Sequence, residues 1–204
     1  MKLSHATGMR RIQVANADVR KLEKFLENNR TLQEILRRLP QLKLTGCYVA
    51  AGSIAQTVWN ALHGFEPTHG IKDYDIIYYD RSDTSRRFER MASRRAERIF
   101  ADLKVPIEVV NEANVHLWFE KEFGDPMPRP YTSTEDAIGT FSTAAVCIGV
   151  RYIGGRLDVC APYGLYDLFN LLLRRNGNFY TEERHREKLD RWTALWPKLK
   201  LVSA

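Results

Sequence analysis

The stretch DYDIIYY, residues 73–79, does most to limit what this chain can fold into. Its β-branched and aromatic residues make it the clearest strand in the sequence. Yet it carries Asp73 and Asp75 one residue apart. Side chains alternate along a strand, so both carboxylates point to one face while Tyr74 and Ile76 point to the other. Two readings follow. The acids sit harmlessly at a solvated strand end, or they converge in a partly apolar setting where they repel each other and resist joint ionisation. A hard divalent cation removes that conflict, because Mg²⁺ or Mn²⁺ prefers carboxylate oxygens and keeps positions open for phosphates.

The flanking segments set the strand in an alternating order. CYVAAG (47–52) is a short buried strand, followed by a helix from Ser53 to about His63 and a turn-rich loop, GFEPTHGIK. After the Asp strand comes a helix through Arg86–Leu103, then VPIEVV (105–110), another strand. This β-α-β-α-β order argues for an α/β-like core. Upstream, NADVRKLEKFLENNRTLQEILRRLP reads as two helices, with Asp18 as a cap for the first, a break near Asn28-Asn29 and a stop at Pro40. Downstream, Ser133 is placed to cap a helix, and a hairpin turns around Gly154-Gly155. YGLYDLFNLLLRRN (163–176) reads as an amphipathic helix, and TEERHREKLDRWTALW as a terminal one. We therefore expect one domain over residues 1–204, with 1–16 flexible and about 125–204 an appended helical and hairpin part.

Composition narrows the class. No apolar run is long enough for a membrane span. Cys47, Cys147 and Cys160 show no C-x-x-C spacing, which suits reduced thiols in a cytoplasmic protein. The net charge of +6 favours polyanionic partners. Much of it lies in Arg86, Arg87, Arg90, Arg94, Arg95 and Arg98, whose spacing covers the outer face of one helix. A solvated helix surface is the plainer account of that patch, and an RNA contact the sharper one.

Gly52-Ser53 gives the Asp pair a context. A glycine at a strand-to-helix corner lets backbone approach a ligand, and the first N–H groups of the helix attract anions. An anion-binding helix start followed about twenty residues later by a metal-binding pair is the layout that phosphoryl transfer needs. The pattern VAAGSIAQ…KDYDIIYYD resembles the signature of the DNA polymerase beta-like nucleotidyltransferase superfamily. Within it, the chain is similar to bacterial nucleotidyltransferase-like proteins of largely unassigned substrate. The blocks NEANVHLWFE and APYGLYDL extend the likeness over roughly residues 45–197. In the stretch LLRRN, Arg175 stands where the family pattern has proline.

The resemblance implies an α+β nucleotidyltransferase fold with a mixed β-sheet flanked by helices, a nucleoside triphosphate (NTP) such as ATP as donor, and Mg²⁺ or Mn²⁺. Mapped onto this sequence, Gly52 and Ser53 would bind the triphosphate. Asp73 and Asp75 would ligate metal, and Glu108 on the next strand would be the third carboxylate, with Asp158 as its rival. Ser53, Lys72, Arg174, Lys188 and Arg191 are candidates to offset phosphate charge. The resemblance leaves the acceptor unknown, a small molecule, an RNA or a protein, and implies no membrane partner. The alternative is a catalytically silent module that binds nucleotide or RNA.

Overall fold

The computed structural model describes residues 14–124, 126–177 and 181–202. Of the N-terminal segment expected to be flexible, residues 1–13 lie outside the described residues, and helix α1 already begins at Asn16. Helices α1 (Asn16–Glu27) and α2 (Arg30–Arg38) are separated at Asn28-Asn29. The buried Asn29 side chain caps α2 by accepting from the Leu32 N–H. The first helix differs from expectation. Ala15, not Asp18, is its cap, and Asp18 lies inside the first turn, where a negative charge suits the helix dipole.

Strand β1 (Tyr48–Ala50) runs into α3 (Gly52–His63), followed by β2 (Tyr74–Tyr78), α4 (Arg86–Ile99) and β3 (Ile107–Asn111). The hairpin of β4 (Gly149–Ile153) and β5 (Arg156–Cys160) joins the same sheet through β1. The order is β3-β2-β1-β4-β5, with β2 and β3 parallel and the remaining pairs antiparallel. It is the expected mixed sheet. Glycine at 149 is required where β4 crosses beneath the second layer. A Cβ there would lie 2.6 Å from Ile138 Cδ1 and 3.1 Å from Tyr48 Cβ.

The alternation read from β2 divides the two layers. Tyr74, Ile76 and Tyr78 join Val49, Val150 and Val159 in the main core, which includes residues of α1 to α4. On the opposite face Tyr48, Ala50, Ile77 and Cys160 form a smaller cluster with Ile138. The two acids stand on that thinly covered face, beside Ile77. The outer face of α4 carries its arginines, although Arg95 reaches back to donate to the Leu42 carbonyl.

The stretch 163–176 does not form the long helix its apolar spacing suggested. Helix α7 spans only Tyr166–Phe169, and Leu171 adopts a left-handed backbone (φ +59°). Leu172–Arg174 is then strand β6, paired in parallel with β7 (Lys200–Val202). Leu173 is fully buried in that pairing, so tertiary packing overrides helix propensity here. The last helix, α8 (Glu182–Leu195), forms as expected.

Candidate active site

The chain reaches the site first at the β1–α3 corner. Ala51 takes φ +57° and ψ −126°, a strained backbone for a residue with a side chain. Its N–H is held by the Ile148 carbonyl at 2.9 Å. No side chain caps α3, so the leading N–H groups of its first turn are left for an external acceptor. Ala51 and Gly52 line a cleft of about 350 Å³. Ser53 is placed differently. It is buried, absent from the cleft lining, and its hydroxyl turns back toward the Ala50 carbonyl at 3.4 Å. One turn on, Gln56 lines the same cleft, and its Oε1 is buried without a hydrogen-bond donor.

Asp75 and Ile77 line the cleft from β2, and Asp73 does so from the position just before that strand. Burial, followed by the Asp73 and Glu108 carboxylates, pushes the Asp75 carboxyl up to about 7, and Lys188 acts in the opposite direction. Glu108 lies directly across from Asp75 in the parallel register and is exposed beside the cleft rather than lining it. Asp158 stands on β5, three strands away from β2 in the sheet order. There it accepts from Arg151 Nε at 2.9 Å and from the Tyr48 hydroxyl at 3.3 Å.

Lys188 and Arg191 face the acids from α8, and Trp192 lines the same wall. Burial and the neighbouring Arg191 charge hold the Lys188 ammonium below its usual range. The other basic candidates lie elsewhere. Arg174 pairs with Asp167 at 3.1 Å, and Lys72 is exposed outside the cleft lining.

Glu112 was missed from the sequence. It follows β3, is 5% exposed, and lines the cleft beyond Ile77 and Val110. Burial first, and the Asp75 charge second, push its carboxyl up to about 8. The signal available was its position in IEVVNE, two and four residues after Val110 and Glu108 on the same alternation, but a strand end at Asn111 hid its burial. Asn111 fixes that end. Its side chain donates to the Asp80 carbonyl at 2.8 Å and accepts from the Asp80 and Ala113 N–H groups.

The donor set bears on metal binding. Among the described residues no three His, Cys, Asp or Glu side chains form a ready-made cluster. The Asp73–Asp75 pair nonetheless fits Mg²⁺, which is commonly held by one or two carboxylates with the rest of its shell from phosphate and water. A cation there would relieve the repulsion that raises Asp75.

A family model described as nucleotidyltransferase matches residues 37–201, which include every residue of this cleft. The chain belongs to that nucleotidyltransferase family. It is an enzyme of nucleotidyl transfer by class. The fold is also similar to a solution NMR structure described as revealing a CCA-adding enzyme head domain. The TM-score is 0.73 at 22% identity, over 97% of this chain and 100% of the other. No curated protein matches the sequence.

Proposed function

We propose that this nucleotidyltransferase moves a nucleoside monophosphate from an NTP to an acceptor nucleophile and releases pyrophosphate, with Mg²⁺ or Mn²⁺ bound by Asp73 and Asp75 and completed by Glu108. The observation that carries the reading is the convergence of Asp73 and Asp75 with the uncapped start of α3 in one cleft. When bound, the metal supplies charge neutralisation and activation of the attacking and leaving oxygens.

The chain's own residues divide the remaining work. Backbone N–H groups at Gly52 and Ser53 hold the anionic tail, with Ser53 acting through its main chain because its hydroxyl is turned inward. Lys188 and Arg191 bring positive charge to the opposite wall, where the pyrophosphate leaving group gathers negative charge. Glu108, exposed across from Asp75, is open to an incoming acceptor and placed to accept its proton.

Transfer from labelled NTPs to acceptor pools in the presence of Mg²⁺ or Mn²⁺ tests the proposal. We expect Asp75→Asn to lose at least about 100-fold in rate, since even groups that only orient a metal ligand cost 10- to 100-fold. Equal rates for the variant and the parent enzyme would overturn the assignment.

A further inference from the structure

The inner half of the cleft has a chemistry that phosphate transfer does not use. Past Asp75, the floor is Ile77 and Val110, and the walls include Phe119, Tyr131 and Phe141. This is an aromatic-lined space to which Glu112 contributes a carboxyl. The Glu112 carboxyl has no hydrogen-bond or ion-pair partner among the described residues, although it is more than nine-tenths buried. It faces the cleft with its hydrogen-bonding capacity open to whatever enters there. Trp192 also lines the cleft, and its Nε1–H is buried without an acceptor.

The lining defines the occupant. Asp75 is in register with Glu108. Glu112 follows the end of β3 and lines the same cleft as the acids, near enough for the Asp75 charge to act on its carboxyl. A ligand matching all three zones has an anionic end, a flat apolar-faced body and a hydrogen-bonding edge.

We propose that the inner cleft is a nucleobase-binding chamber in which the Glu112 carboxyl reads the hydrogen-bonding edge of the base. The aromatic walls supply stacking that tolerates any base, so discrimination falls to Glu112. A carboxyl kept neutral by burial and by the Asp75 charge offers one donor and one acceptor, which complements the paired donor and acceptor on a base edge. The heterocycle belongs either to the NTP or to a nucleotide acceptor, and both present the same chemistry. This inference rests on the nucleotidyl-transfer reading only for the anionic end of the cleft.

The test uses the full chain without metal, so that the chamber is measured apart from the acids. Adenosine, cytidine, guanosine and uridine are titrated and followed by ligand-observed NMR. We expect unequal affinities among the four, and Glu112→Leu to weaken the preferred nucleoside about tenfold or more. Glu112→Gln, which keeps a donor and an acceptor, should stay within a few-fold of the parent. Circular dichroism verifies that both variants are folded. Displacement of the preferred nucleoside by the matching NTP with Mn²⁺ assigns the chamber to the donor, and simultaneous binding assigns it to the acceptor. Equal affinity of all nucleosides for the parent chain and Glu112→Leu would overturn the proposal. So would absence of nucleoside binding by a chain that still binds Mn²⁺ and tripolyphosphate. Failure of both ligands would instead strike the nucleotidyl-transfer reading itself.

Discussion

Asp75 and Glu112 are two residues through which this fold gives up stability as the pH rises. Both are carboxyls raised well above their usual range, to about 7 and about 8, mainly by burial. The charges facing them are Asp73, Glu108 and Lys188 around Asp75, and Asp75 itself for Glu112. In the window from about pH 5 to 7 the native chain holds protons that the unfolded chain has released. The unfolded state then binds fewer protons, so stability falls as pH rises, by at most about 1.4 kcal/mol per pH unit for each group. Guanidinium unfolding in EDTA at pH 5.5, 6.5 and 7.5 should show this decline, and Glu112→Gln should flatten it. An unchanged slope in the variant would contradict the burial of an ionisable Glu112. Ala51 adds backbone strain at the same cleft, where a left-handed φ brings the first turn of α3 to face the acids.

At the level of elements, α8 determines whether the cleft has an outer wall. The helix is anchored by aromatic packing. Trp59 meets Trp192 and Trp196 edge-on at 5.4 Å in both cases, and Trp196 Nε1 donates to Asn60 Oδ1 at 2.6 Å. Trp196 is fully buried, so Trp196→Ala should cost about 3–5 kcal/mol, measurable as a lower denaturant midpoint. A loss below about 1 kcal/mol would mean that α8 is held by other contacts. Most of these elements are legible in the sequence. The β-branched run of β2, the Gly52 corner and the amphipathic α4 each announce themselves through local pattern, and the two parallel strands follow from their order. What stays hidden is decided by distant partners. Leu172–Arg174 carries helical spacing but pairs with β7, a contact across more than twenty residues that no local window contains.

For the whole molecule, the candidate site joins segments far apart in sequence: the β1–α3 corner, β2, the end of β3, the 115–146 segment and α8. The sequence alone marks the acids and the corner, because their residue types are unusual for their elements. It does not mark Glu112, whose meaning depends on walls contributed by Phe119, Tyr131 and Phe141. Nor does it show that the Ser53 hydroxyl points inward, since helix phase at a strained corner is a tertiary matter. The central claim is that Asp73 and Asp75 gather a divalent ion and a triphosphate at the start of α3. Calorimetric titration of Mn²⁺ with a non-hydrolysable NTP into the parent chain and into Asp75→Asn tests it most directly. The account predicts Mn²⁺-dependent binding that the substitution weakens at least about tenfold, whereas binding of equal strength to both chains, or binding indifferent to Mn²⁺, would contradict it.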